Sequence, residues 1–544
     1  MAVSGRAALD RLMRAAGRPA AAQAGALAAI LKANRDTTFG RAHGFAGIAG
    51  PDAWRAAAPI VEYEDLRPWI ERQIADEAAL VAERPLMYAR TSGTTAAPKY
   101  LPVTPTGLAQ MKRAQRVMSF VQHRACRLFS GRILALGGAR CEETLAGGVP
   151  AGSVTGLIYE TMPAVVRRKY VVPPEVFSIA DAELKYAAVT RLALQHADLT
   201  AVSTANPSTL LRLRDHSRAN WGKLLAEVAD GTFAGTGSLT PAQARAMTAA
   251  LFPAPERARA LARAAEPGEP SIAALWPNLA GVVTWTGGSC ALAAAAVRRS
   301  LAPETLMIDA GYVASELRGT VVVDARRNLA LPLLEDTFYE FVEADDWEAG
   351  RRDTRLAHEL EPGRDYQVII TTTGGLYRYR INDILRAGPI IGATPTLSFQ
   401  RKGRGVTNIT GEKLSETQIN LALAEAAAPA GCDVLFHLVL ADEDRAVYVA
   451  WLEVEGAGDD LAQDVERALV RLNIEYAAKR RSGRLAPVEV RRLRPGAGAA
   501  YRRWCVAGGQ RDSQFKVLTL QTARECGFDF TPWRLEEGAY AAEG

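Results

Sequence analysis

Several short segments of this sequence carry residue types and spacings that could bind or transform a charged ligand. Thr91-Ser92-Gly93-Thr94-Thr95-Ala96-Ala97-Pro98-Lys99 follows directly on a short β-like run. Phosphate oxygens need several convergent donors, and backbone N–H groups with small hydroxyls supply them without bulk. The Walker spacing GxxxxGK[ST] is absent here. Asp309-Ala310-Gly311-Tyr312-Val313-Ala314-Ser315-Glu316 again ends a strand. A carboxylate among small residues at such a place suits Mg2+, which takes oxygen ligands and substrate phosphates. Tyr377-Arg378-Tyr379-Arg380-Ile381-Asn382-Asp383 closes with an aspartate that could accept hydrogen bonds from both hydroxyls of a ribose. Lys413 and Lys516 come later, and a lysine facing charge that develops on a phosphate counts for much in a dry site and little on a surface. Taken singly, each has a plainer reading: a polar surface turn, a solvated helix-start glutamate, a turn aspartate and two solvated lysines.

The elements that must position these residues are legible from periodicity. Residues 21–34 combine strong helix formers with apolar spacing, and a second helical stretch spans 62–81. Residues 86–89 are strand-like and lead into Thr91. Helices are predicted over 107–127, 181–195 and 242–265, and strands over 281–286, 307–309 and 320–323. Segments 366–370 and 376–381 flank a TTTGG turn as a β-hairpin. Alternation would turn Tyr377, Tyr379 and Ile381 to one face and Arg378, Arg380 and Asn382 to the other. After the glycine-rich stretch 401–405 a new pattern begins: helix 416–427, strands 434–440 and 447–454, helix 461–477. The fold class is therefore α/β, with strands too irregularly spaced for a simple doubly wound sheet. Domains are expected at 1–400 and 401–544.

Composition narrows the class. A chain of 544 residues exceeds what one hydrophobic core needs. Its 48% hydrophobic and 23% charged residues are those of a globular protein and exclude disorder. The net charge of +5 permits an anionic ligand, but no Lys/Arg block is long enough to argue for nucleic acid. Six cysteines lie scattered without a CxxC pair, which excludes a clustered zinc site and a disulfide scaffold. No apolar run reaches the roughly 18 residues of a membrane span, and arginines interrupt the N-terminal apolar stretches. A soluble, cytoplasmic protein is expected.

Order and combination join the segments. A TSGTT…K loop, then Tyr…Ser-Glu, then an Asn-Asp turn near a domain boundary, then a late lysine resembles the adenylate-forming superfamily. More narrowly, the chain is similar to the Gretchen Hagen family of acyl acid amido synthetases, the auxin-responsive conjugating enzymes and their bacterial relatives. The residues that carry this are Leu275-Trp276-Pro277-Asn278-Leu279, Thr284-Trp285-Thr286-Gly287-Gly288, Gly375-Leu376-Tyr377-Arg378-Tyr379-Arg380-Ile381-Asn382-Asp383 and Gln514-Phe515-Lys516. To these is added the opening segment, Asn34 with Thr38-Phe39-Gly40-Arg41-Ala42-His43-Gly44-Phe45. The resemblance covers essentially the whole chain, and its GLYRYR and WPN segments are far more specific than SGTT alone.

The resemblance implies a large N-terminal domain of mixed sheets, a β-barrel and helices, followed by a smaller mobile α+β domain that swings about 401–405. It implies ATP and Mg2+, a carboxylic acid and an amine such as an amino acid. Ser92, Gly93, Thr94 and Thr95 would cradle the ATP phosphates, Tyr312 would contact the adenine, Ser315 the α-phosphate, and Glu316 would hold Mg2+. Asp383 would bind ribose, Arg401 would lie at the hinge near the nucleotide, and Lys413 and Lys516 would reach the adenylate. Transfer of the acyl group to a thiol such as coenzyme A, or a non-catalytic nucleotide-binding role, are the alternatives. The chain departs from the family pattern at Ala96, Ala97, Ala314 and Asn382, and in Val517-Leu518-Thr519 after Lys516. The acid, the amine and the oligomeric state are not written in these motifs; 118–123 and 203–207 are the candidate acyl-pocket segments.

Overall fold

The computed structural model describes residues 2–75, 77–91, 98–265, 270–403, 406–410, 412–456, 460–508, 510, 515 and 517–535. The chain forms two compact units. The first comprises Met1–Ala205, Arg212–Trp285 and Leu301–Phe399; the second comprises Asn206–Leu211, Thr286–Ser300 and Gln400–Gly544. No helix among the described residues is long and apolar enough to cross a membrane. No disulfide joins any two cysteines among the described residues.

The first unit contains a parallel sheet ordered Arg132–Ala135, Leu199–Ser203, Gly281–Thr284, Leu306–Asp309. Its strands are short and apolar, as strands covered on both faces must be. A second sheet pairs Met87–Thr91 antiparallel with Lys99–Val103, Thr91 opposite Lys99, and parallel with Pro150–Gly152. Thr320–Asp324 and Leu329–Pro332 make a separate hairpin. An antiparallel sheet runs Thr337–Glu343, Asp365–Thr372, Tyr379–Ile391, Thr394–Lys402, and the chain passes between units within the last strand.

The second unit is built on a four-stranded sheet ordered Glu489–Leu493, Val447–Glu455, Asp433–Asp442, Leu520–Thr522. Helices Glu416–Ala427 and Leu461–Leu472 bury Ile419, Leu423, Val465 and Leu469 in the same core as Val434, Val439 and Leu452.

Most predicted elements form, and the misses have local causes. The helix expected over 62–81 stops as Tyr63–Ile74. The Gln73 side chain accepts the N–H groups of Leu80 and Val81 at 2.9 and 3.0 Å, which folds the following chain back on the helix end. The helix expected over 242–265 is two, Pro241–Ala250 and Pro255–Ala264. Pro253 and Pro255 interrupt it, since proline lacks a donor and disfavours helical backbone before it. The helix expected over 461–477 breaks at Asn473, which is extended and whose side chain caps Ile474–Arg481 by accepting from Tyr476 N at 2.9 Å.

The GLYRYR segment does not alternate as expected. Arg378 is buried beside Tyr377 and Tyr379, and its φ of +46° breaks the strand periodicity. Its guanidinium grips the Glu340 carboxylate through two 2.9 Å bonds and donates to Ala58 O at 2.6 Å. Tyr377 donates to Leu80 O at 2.6 Å, and its ring stacks on Phe39 at 4.9 Å and meets Phe45 and Trp54 edge-on. The opening segment and the GLYRYR segment are thus two halves of one aromatic core. Each such ring pair contributes roughly 0.5–1.5 kcal/mol beyond its area burial.

Candidate active site

The second candidate motif folds into a tight hairpin after the strand Leu306–Asp309. Gly311 takes φ +76°, a region that side-chain-bearing residues avoid, and so turns the chain at the strand end. Val313 then bridges Arg318, and Ala314 N donates to Leu317 O at 2.9 Å. Gly319 N and Thr320 N both donate to Tyr312 O, at 2.9 and 3.1 Å, while Tyr312 N donates to Thr320 Oγ1 at 2.8 Å. Ser315 and Glu316 occupy the half-buried turn. Gly319 is obligatory for packing, since a Cβ there would lie 2.3 Å from Tyr312 Cδ1.

The third motif reaches the same place through an irregular strand. Opposite Asp365–Thr372, Ile369 faces Arg380 but Gln367 faces Ile384, so the strand Tyr379–Ile391 carries extra residues between these pairs. Asn382 absorbs the bulge at φ +62°. This turns Asp383, 1% exposed, toward the hairpin, where its Oδ2 accepts from the Tyr312 hydroxyl at 2.8 Å. Tyr312 lies nearly parallel to Phe399 at 6.3 Å, an aromatic that sequence reasoning passed over. Burial, then the charge and hydrogen bond of Asp383, then Glu316, push the Tyr312 phenol well above its usual range. Burial raises Tyr379 too, followed by Glu316 and Asp383. Glu316 and Asp383 therefore act on the same two phenols, and the structure brings Tyr312, Ser315, Glu316 and Asp383 into one neighbourhood.

Arg401 and Lys413 lie in the second unit. Arg401 is half-buried near the end of Thr394–Lys402, and its charge, with that of Lys402, opposes the upward push that burial gives Glu416. Lys413 is exposed at φ +42°. Its neighbour Glu412 is buried and accepts from Ile409 N, Thr410 N and Thr410 Oγ1 at 2.7, 2.8 and 3.0 Å, and also from the Tyr448 hydroxyl. Burial raises the Glu412 carboxyl, but the Tyr448 and backbone bonds outweigh it and hold the group below its usual range. Asn473 Nδ2 donates to Glu412 O at 3.0 Å. Glu412, Tyr448 and Asn473 brace the loop that presents Lys413, and sequence reasoning missed all three. Ser92, Gly93, Thr94, Thr95 and Lys516 lie outside the described residues.

The departures from the family pattern at Ala314 and Asn382 have local reasons. Asn382 stands where backbone is left-handed, and asparagine is the residue after glycine that tolerates this best. Ala314 contributes a backbone donor to the turn and packs its methyl on the core, so no hydroxyl is demanded. Ala96 and Ala97 lie outside the described residues.

The fold is similar to that of a 2-hydroxyisobutyryl-CoA ligase solved in its postadenylation state, which aligns over 96% of this chain and 90% of its own, with a TM-score of 0.53 at 12% identity. Within that fold the match narrows. The GH3 family N-terminal domain matches residues 8–305, its central domain 330–402 and its C-terminal domain 417–525, and the chain belongs to the GH3 family. An indole-3-acetic acid-amido synthetase, GH3.8, of Oryza sativa subsp. indica is 26% identical over 91% of this chain and 87% of its own length. A jasmonoyl–L-amino acid synthetase, JAR6, of Nicotiana attenuata is 24% identical over 90% and 88%. The AtGH3.15 acyl acid amido synthetase, solved in complex with 2,4-DB, superposes with a TM-score of 0.82 over 96% of this chain and 95% of its own, at 19% identity.

Proposed function

We propose that this protein activates a carboxylic acid with ATP and passes the acyl group to the amino group of an amino acid. The observation that carries the reading is the buried Asp383 held by the Tyr312 hydroxyl, beside the hairpin that bears Ser315 and Glu316. Family membership supports it, because the matched relatives are amido synthetases.

In this reading a carboxylate oxygen attacks the α-phosphorus, the bond to the pyrophosphate oxygen breaks, and an acyl-AMP forms. The amine nitrogen then attacks the acyl carbon. The bond to AMP breaks, and the nitrogen releases a proton to solvent. Neither step needs a protein nucleophile. Asp383 would accept both ribose hydroxyls, Tyr312 would border the adenine, Ser315 would donate to the α-phosphate, and Ser92 with Gly93, Thr94 and Thr95 would surround the remaining phosphates. Arg401, Lys413 and Lys516 would supply positive charge from 401–544, which would move between the two steps.

Among the described residues no three His, Cys, Asp or Glu side chains cluster as a metal cage. A lone Glu316 carboxylate fits Mg2+ nonetheless, because this ion takes one or two carboxylates and completes its shell with water and substrate phosphates. Bound there, magnesium would neutralise phosphate charge during displacement.

The test is to offer ATP, Mg2+, a panel of carboxylic acids, the amino acids and coenzyme A together and to identify products by mass. Amide and AMP are expected. Thioester in place of amide would overturn the amine assignment, and the absence of AMP with every acid would overturn the function.

A further inference from the structure

Arg318 stands at the base of the hairpin, across the backbone bridge from Val313 and two residues beyond Glu316. Its surroundings are unusual for a cation. Among the described residues its two hydrogen bonds leave from Nη1: one to the Met118 thioether sulfur at 2.7 Å, the other to Ala310 O at 3.4 Å. A thioether is a weak acceptor and 3.4 Å is long, so the charge is poorly satisfied. No carboxylate pairs with Arg318 among the described residues, whereas Arg378 and Arg113 pair with Glu340 and Asp336, and Arg191 and Arg257 donate to backbone carbonyls. The neighbours are apolar: Met118 shares a core with Val283, Ile308 and Val321, against which Ala310 packs. The residue as a whole is half-buried.

A guanidinium cannot shed its proton at working pH, and an unpaired one in apolar surroundings is strongly disfavoured. A cation kept in this state beside a proposed reaction centre is poised for an anion that the described residues do not supply. Met118 lies in the helix Pro105–Cys126, within the candidate acyl-pocket segment 118–123. The reacting carboxylate is a poor candidate for that anion. Its charge disappears when the acyl-AMP forms, which would leave Arg318 unpaired at the moment of reaction and would slow the step. A second anionic group, remote from the reacting carboxyl, keeps its charge through both steps.

We propose that Arg318 is a specificity-determining residue that binds a second carboxylate on the acyl substrate, so that the preferred acids are dicarboxylates activated at one end. This rests on the adenylating function proposed above. Guanidinium matches carboxylate geometry through two parallel donors, and Nε and Nη2 remain for it.

The experiment compares ATP–pyrophosphate exchange for matched pairs of mono- and dicarboxylic acids of equal chain length, aliphatic and aromatic, in the wild type, Arg318→Met and Arg318→Lys. The wild type should prefer the dianion by tenfold or more in kcat/KM. Arg318→Met should lose that preference through a higher KM for the dianion, with exchange on the monoanion kept. Arg318→Lys should retain part of the preference. Equal kcat/KM for both members of every pair in the wild type, with exchange clearly running, would overturn this inference while leaving the function intact. An equal loss on mono- and dicarboxylates in Arg318→Met, with Arg318→Lys no better, would also overturn it. No exchange with any acid would instead strike the underlying function. Should Arg318→Met fail to fold, the wild-type pair comparison decides alone.

Discussion

The hydroxyl of Tyr312 donates to Oδ2 of Asp383 at 2.8 Å, joining a hairpin turn to a strand bulge that lie 71 residues apart in the chain. Both groups are buried, so this bond fixes the orientation of a carboxylate whose environment tolerates few other arrangements. Tyr312→Phe removes the donor and keeps the ring on Phe399. A hydrogen bond to a charged group is worth about 1.5–3 kcal/mol, so the variant should lose stability of that order in urea unfolding and bind ATP more weakly. Unchanged stability with unchanged ATP affinity would show that Asp383 is held by other groups.

Gly319→Ala tests the same relationship from the other side. A methyl there meets the Tyr312 ring at 2.3 Å and must displace it. The expected outcome is a higher KM for ATP with little change in KM for the amino acid. Wild-type kinetics would mean that the hairpin adjusts without moving Tyr312.

Glu316→Gln keeps size and removes charge. If Glu316 is the magnesium-holding carboxylate, exchange activity should fall by two orders of magnitude or more and the Mg2+ concentration for half-maximal rate should rise. Chelation of divalent cations should abolish exchange in the wild type. A variant with full activity at the same Mg2+ dependence would remove Glu316 from the metal site.

The Arg378–Glu340 pair is nearly sealed, with side chains 7% and 1% exposed. Breaking such a pair strands a charge, at a cost of about 3–5 kcal/mol, whereas replacing both partners with apolar residues is far milder. Arg378→Met should therefore destabilise much more than Arg378→Met with Glu340→Leu. Equal losses in urea unfolding would mean that the other bonds of the two residues, from Arg378 to Ala58 and Arg55 O and from Arg55 and Thr354 to Glu340, carry the cost.

His437 is buried in the second unit, where its Nε2 donates to Asn420 Oδ1 at 2.7 Å, and burial pushes it down to about 4. Asn420 Nδ2 donates to Gly288 O, which leaves its oxygen as the acceptor and fixes the imidazole tautomer. The folded state therefore binds its proton less well than the unfolded chain, whose histidine titrates near 6.5. Stability is present in full above that value and falls as pH drops toward 4. Between pH 7.5 and 5 the loss is about 2 kcal/mol. Urea unfolding at these two pH values should show it, and His437→Gln should flatten the dependence. An equal slope in the variant would assign the loss to other groups.

The family and the α/β fold were legible because the most diagnostic residues are those the core cannot change cheaply. Trp276 is buried with its Nε1 on Ala193 O at 3.1 Å, while the exposed Asn278 ties the same turn to Ala197 O at 2.9 Å. Tyr377 and Arg378 fill the aromatic core and its ion pair. These motifs identify the family while doing structural work; from the GLYRYR-to-Asp segment, Asp383 and Tyr379 arrive at the candidate site. Periodicity missed the bulge around Asn382, since a residue count in one strand does not reveal how its partner is aligned. It missed Phe399, Tyr448 and Asn473 because their value lies in contacts with residues 87, 36 and 61 positions away. Arg318 looked like any arginine until its surroundings showed no pairing carboxylate among the described residues.

The most direct test of the nucleotide site is calorimetric titration of ATP into the wild type and Asp383→Ala, with thermal unfolding measured on both. Measurable binding to the wild type is expected, with affinity weaker by tenfold or more in a variant that remains folded. Equal ATP affinity in the two proteins would contradict it.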